Sequence, residues 1–127
     1  MNRNREIIFE EDAAVLKIRG LMMLFTFKHK VNLPYRMIKS VFVDYFDPPK
    51  WMIRMPGTSI SPLNIYEGSY KYQDEWYFLS YEGRIPVVII ELENHEKYRY
   101  VIFQIENPTE VAAELRRKMA EAEGRYY

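Results

Sequence analysis

The residues that could do chemistry in this chain are two histidines, five serines, two alternating glutamates, eleven tyrosines and one Pro-Gly motif. His29 and His95 are the only imidazoles. A metal site needs three or four converging ligands, and Asp44 or Asp47 could join a histidine only through the fold. His29 falls at an apolar-face position of an alternating run and His95 in a polar turn, so both read as structural or solvated. Ser40, Ser59, Ser61, Ser69 and Ser80 include no Gly-x-Ser-x-Gly elbow, which argues against triad hydrolysis. Glu91 and Glu93 read as solvated edge carboxylates rather than an acid/base pair. The stretch Arg54-Met55-Pro56-Gly57-Thr58 is the most motif-like. A phosphate cradle needs several glycines whose N–H groups converge, usually at a helix N-terminus. With one glycine and no helix signal after it, the motif reads as a Pro-Gly turn in which Gly57 takes a positive φ. Arg54 is then a surface cation near Asp44 or Asp47. No catalytic residue, metal ligand or cofactor site is assigned, and the expected class is non-enzymatic.

What remains is surface chemistry. Lys plus Arg number 18 and Asp plus Glu number 18, so no net field draws the chain to nucleic acid or to an anionic membrane. The charge is divided locally, however. Residues 17–54 hold eight cations against Asp44 and Asp47, whereas residues 67–96 hold seven acids against Lys71 and Arg84. The first stretch is therefore net +6 and the second net −5. Lys28, Lys30, Arg36, Lys39 and Arg54 are the candidate binding cations. Tyrosine is a favoured strand residue that pairs across neighbours, and most of the eleven are read that way. Tyr70, Tyr72 and Tyr98 are singled out as a candidate apolar centre for a protein contact. Two complementary patches would let copies associate head to tail.

These residues must be positioned by strands. Ile7 and Phe9 suggest one strand, and Leu16/Ile18 alternating with Lys17/Arg19 a second that ends at Gly20. Leu21 to Phe25 fits a strand or a short helix. Phe27, His29 and Val31 alternate with Lys28 and Lys30 in a third strand, which Pro34 interrupts. Ile38 to Phe46 reads as a long strand with Val41, Val43 and Tyr45 on one face, and Trp51, Ile53 and Met55 as a short one. Residues 58–73 read as a long ordered loop with a short strand inside. Glu75 to Tyr81, Pro86 to Leu92 and Tyr98 to Ile105 are strands joined by hairpin-length turns at 82–84 and 93–97. At Asn107-Pro108-Thr109-Glu110 the period changes to that of a helix, with Asn107 as N-cap and Glu110 closing a capping box. Val111, Leu115 and Met119 then form the apolar stripe, with Ala112 beside it. Seven or eight antiparallel strands and one C-terminal helix define a mainly β fold. A pleckstrin-homology-like (PH-like) barrel of two packed antiparallel sheets, capped by the helix, heads the candidates.

The order of Trp51 through Thr58, a loop containing Gly68, Trp76-Tyr77-Phe78, Val87 to Leu92 and Asn107-Pro108 resembles a group of small bacterial proteins with a PH-like domain. The resemblance spans roughly residues 6 to 116. It implies a short helix at 21–25. It also implies a module that binds head groups, peptides or proteins, or that self-associates. The basic spacing by which eukaryotic PH domains hold phosphoinositides is not reproduced, because Gly20 and an apolar run follow Lys17 and Arg19. The expected partner is protein, including a second copy, rather than nucleic acid or a phosphoinositide membrane. One alternative is an RNA or anionic-surface binder using Lys28, Lys30, Arg36 and Lys39. Another is a small apolar-ligand carrier, against which the bulky interior candidates Trp51, Phe27, Phe78 and Ile89 argue. The chain reads as one domain over residues 1–127, with a core from about 6 to 122. The absence of cysteine fits a reducing compartment, and LMMLF and VVII are too short to cross a bilayer. The expected location is cytoplasmic.

Overall fold

A computed structural model describes residues 5–22, 25–49, 51–54 and 65–124, with the backbone alone at 20–22, 25–29 and 53–54. Strands β1 (Arg5–Phe9), β2 (Ala13–Met22) and β3 (Phe25–Pro34) form an antiparallel three-stranded sheet. A 3-10 turn at Tyr35–Met37 leads into β4 (Ile38–Asp44). After it come β5 (Ile53–Arg54), β6 (Ile65–Tyr72), β7 (Glu75–Glu82), β8 (Val87–Leu92), β9 (Tyr100–Phe103) and helix α1 (Pro108–Ala122). The second sheet has the order β4-β8-β9-β7-β6-β5. Among the described residues the strands do not close into a barrel, and no helix is long and apolar enough to cross a membrane.

Alternation sets the core. Ala14, Leu16 and Ile18 of β2 and Val31 and Leu33 of β3 face inward. They meet Phe78, Val88, Ile90, Val101 and Phe103 of the second sheet, together with Ala112 and Leu115 of α1. Each such aliphatic or aromatic side chain contributes about 1.5–3 kcal/mol by leaving water. The six-stranded sheet buries its other face as well, under Phe46 and Met52, through Tyr66, Tyr70, Leu79, Tyr81, Val87, Ile89 and Ile102. This double burial explains why Val87 to Ile90 is a continuous apolar run rather than an alternating one.

Several expectations are corrected. Gly20 does not end β2, and Leu21 and Met22 continue the strand rather than opening a helix, because Leu21 pairs with Thr26 and Met22 with Phe25. Pro34 still pairs with Ala13 as the last residue of β3. Tyr45 lies past the end of β4, half exposed under the Arg84 guanidinium, whose carbon sits 4.8 Å from the ring centre. Trp51 is 81% exposed and fills no interior. The short strand expected inside a loop at 58–73 is the eight-residue strand β6, longer than expected, which pairs with β7 along its whole length. Residues 55–64, which include Gly57 and the Pro-Gly turn, lie outside the described residues.

The sheet is also not wholly antiparallel. β9 inserts between β7 and β8, parallel to the first and antiparallel to the second. Residues 83–86 therefore bridge two strand spacings, about 10 Å, which four extended residues can span at about 13 Å. The turn at 93–97 is a true hairpin connection. The helix begins where expected, but Asn107 adopts a left-handed conformation (φ 58°) and its side chain makes no cap hydrogen bond. Its carbonyl accepts the Val111 N–H instead, so the capping box is absent. Arg116 of the helix donates from Nε and Nη2 to the Val41 carbonyl at 3.0 and 2.6 Å. That bond covers a free backbone acceptor on edge strand β4, where another strand could otherwise add.

Candidate interaction surface

The tyrosines account for themselves structurally. Gly68, at φ 124°, separates Tyr66 from Tyr70 on one face of β6. Tyr66 stacks on Tyr81 with ring centres 5.0 Å apart, and Tyr77 on Tyr100 at 4.9 Å. Burial pushes the Tyr77 hydroxyl up to about 12 and the Tyr81 hydroxyl higher still. Tyr70 is 1% exposed and Tyr98 7%. The Tyr70 hydroxyl accepts the Glu67 N–H at 3.3 Å, and the Tyr98 hydroxyl lies 2.6 Å from Ser69 Oγ. Both are core residues, which overturns their assignment to an exposed apolar centre. Tyr72 is half-buried, edge-on to Tyr77.

Groups with catalytic potential are likewise committed. Arg5 of β1 crosses to the second sheet, where Nη2 donates to Glu67 Oε1 at 2.5 Å and Nε to Ser80 Oγ at 2.8 Å. Ser80 Oγ donates to Glu67 Oε2 at 2.7 Å. All three residues are buried. Loss of water raises the Glu67 carboxyl above its usual range, with Arg5 opposing. Sequence reasoning missed this triad because Glu67, Ser69 and Lys71 alternate with tyrosines and so look like a solvent face. His95 Nδ1 accepts the Lys97 and Tyr98 N–H groups at 3.1 and 3.0 Å. Its proton is therefore on Nε2, which donates to the Asn32 carbonyl at 2.8 Å. His95 is a turn staple. The side chain of His29 lies outside the described residues.

An open groove of about 210 Å³ lies beside His95, between the β6–β7 and β8–β9 turns. Its cations are already engaged. Lys97 lies 5.1 Å from the centre of the Trp76 ring. Arg99 pairs with Glu91 at 2.7 Å and, more loosely, with Glu75 at 3.6 Å. The groove thus offers little unspent charge.

The outer face of the first sheet differs. Inward-facing Leu16, Ile18, Val31 and Leu33 send Lys17, Arg19, Lys28 and Lys30 to the opposite parity of β2 and β3. The register sets Lys17 directly opposite Lys30, and Arg19 directly opposite Lys28. Lys17, Arg19 and Lys30 are exposed, and the side chain of Lys28 lies outside the described residues. Glu6 of β1 is the cross-strand neighbour of Lys17, yet they form no ion pair. Among described side chains, the cations without an ion pair, hydrogen bond or aromatic contact are Lys17, Arg19, Lys30, Arg36 and Lys118. Three of these five lie on this face. Lys39 sits 3.8 Å from Glu91. Arg54 pairs through its backbone with Tyr70, and its side chain lies outside the described residues. Of the cations picked from sequence, the register thus joins Lys28 and Lys30 to Lys17 and Arg19. Comparison of the chain with protein-family models, curated proteins and solved structures finds no match.

Proposed function

We propose that the protein is a non-enzymatic binding module of PH-like architecture whose working surface is the outer face of β2 and β3, and whose partner is polyanionic. One observation carries the reading. Residues 13–34 hold Lys17, Arg19, Lys28 and Lys30 and no acid, and the register opposes these cations pairwise. Like charges directly opposite each other destabilise a sheet, so the arrangement costs the free protein something that an anionic partner would relieve. The two β layers and the docked C-terminal helix support the PH-like architecture. The commitment of Glu67, Ser80, His95 and Glu91 to internal contacts supports a binding role over catalysis. Against the apolar-carrier reading, Phe78, Phe103 and Leu115 pack into the core among the described residues. Self-association loses the centre assigned to Tyr70 and Tyr98.

A trade-off between stability and binding tests the proposal. Replacing Lys17 and Lys30 together by glutamine should raise stability by about 0.2–1 kcal/mol in urea denaturation. The same variant should bind long-chain polyphosphate more weakly, with a shallower dependence of affinity on salt. Unchanged polyphosphate binding in the double variant would reject this surface.

A further inference from the structure

We infer that the groove beside His95 is a seat for a small, free quaternary ammonium compound of choline type, which the chain's own Lys97 occupies when no ligand is bound. The site is separate from the basic face of β2 and β3 and works with the opposite charge. Lys97 Nζ lies 5.1 Å from the centre of the Trp76 ring and 5.2 Å from that of Tyr98. A cation within about 6 Å of a ring centre is drawn to the negative face of the ring, and here one ammonium meets two rings at once. Asp74 and Glu75 line the same groove, and both are exposed. Among the described residues Asp74 forms no ion pair, and Glu75 meets only Arg99, loosely, at 3.6 Å. The groove therefore joins two aromatic faces to two carboxylates.

The seat is fixed and its occupant is not. His95 Nδ1 holds the Lys97 and Tyr98 N–H groups, and the Trp76 carbonyl accepts the Arg99 N–H at 2.8 Å. The Tyr98 ring packs edge-on against Phe78, with its hydroxyl 2.6 Å from Ser69 Oγ. A ligand thus finds both rings already ordered. Lys97 is exposed, and its ammonium forms no ion pair or hydrogen bond among the described residues. An ammonium is a strongly hydrated charge on a flexible stem, so Lys97 regains water when it swings out. A methylated nitrogen has no such shell to lose. Spacing selects it further: a methyl carbon packs at about 3.5–4.0 Å with its nitrogen about 1.5 Å behind, which puts that nitrogen about 5.0–5.5 Å from a ring. Both ring distances fall in that interval. An anion is disfavoured because Arg99 is held by Glu91 at 2.7 Å. The volume of about 210 Å³ is below the about 300–1,000 Å³ of sites for drug-sized ligands, which limits the ligand to a few heavy atoms.

The test follows the two tryptophan indole N–H resonances of the labelled full chain during titration with choline chloride, against sodium chloride at equal strength. Trp51, 81% exposed and outside the groove lining, is the internal control, and Trp51→Phe assigns the pair. The expected result is a saturable shift of Trp76 alone, with a Kd of about 0.1–10 mM. The uncharged isostere of choline, with a tert-butyl group in place of the trimethylammonium, should bind at least about tenfold more weakly. Lys97→Ala removes the competing ammonium and should tighten choline binding about 2–30-fold, whereas Asp74→Asn should weaken it about twofold to fivefold. Equal binding of choline and its isostere overturns the cation seat, and so does a Trp76 resonance that choline does not move at about 50 mM. An unchanged or weaker affinity in Lys97→Ala overturns Lys97 as occupant. Phosphatidylcholine vesicles and a peptide bearing one trimethyllysine present the same group on larger carriers. Saturation by either at least about tenfold below choline overturns the free solute as ligand.

Discussion

Arg5→Ala should cost the fold about 3–5 kcal/mol at neutral pH, the penalty for leaving one member of a buried ion pair without its partner. In the native protein the guanidinium joins β1 to the second sheet through Glu67 and Ser80. Without it the Glu67 carboxylate stays out of water while its main opposing cation is gone. The pH dependence follows from sign. Burial already raises the folded-state Glu67 pKa, and Arg5 is the largest influence lowering it, so the variant's carboxyl is raised further. Stability held by the protonated carboxyl is complete below the unfolded-state pKa and is lost as pH rises through the folded-state value. The deficit of Arg5→Ala should therefore shrink toward acidic pH and grow toward neutrality. Urea midpoints between about pH 4 and 7 measure this window, which opens at the ordinary carboxyl pKa. A cost below about 1 kcal/mol at pH 7 would show that the triad does not hold the sheets together. Replacing Arg5 and Glu67 together by Met and Leu should restore most of the loss, because an apolar pair carries no uncompensated charge.

Leu115→Ala should cost about 2–5 kcal/mol. Leu115 is fully buried and packs within the principal core with Ala112 beside it. Val111 and Met119, half-buried, extend the stripe on either side. The helix packs against β4, β8 and the 3-10 turn, and Leu115 shares one core cluster with residues of both sheets, so the cavity has several rigid neighbours around it. Thermal or urea denaturation measures the loss, and a cost of a few tenths of a kcal/mol would mean that α1 contributes little to the core.

The legible parts of this fold were those where one physical signal acted alone. Ile7 and Phe9 on β1, Leu16 and Ile18 on β2, and the Val111–Leu115–Met119 stripe each have one buried side and one wet side, and period identifies them. The extent and facing of β6 were unreadable for the opposite reason. Both of its faces are covered, so Tyr66 and Tyr70 alternate with Glu67 and Ser69 without marking an inside and an outside. The position of β9 was hidden because the short connection at 83–86 carries the ordinary signature of a hairpin, although another strand fills the gap. Trp51 shows the converse limit, since apolar character does not by itself place a residue inside. The cations of the candidate surface were visible individually. Their direct opposition, Lys17 to Lys30 and Arg19 to Lys28, needs the register of β2 on β3. That register runs through Gly20 and Leu21, which local chemistry marked as a strand end.

Titration of the isotopically labelled protein with long-chain polyphosphate, followed through backbone amide shifts, tests the location of the binding surface most directly. The account predicts that amides at 17–19 and 28–30 move first, and that changing Lys17, Arg19, Lys28 and Lys30 to glutamine removes these shifts. Added salt should weaken binding steeply. Shifts centred instead on Trp76, Lys97 and Arg99 around the groove, and unaffected by those four substitutions, would contradict it.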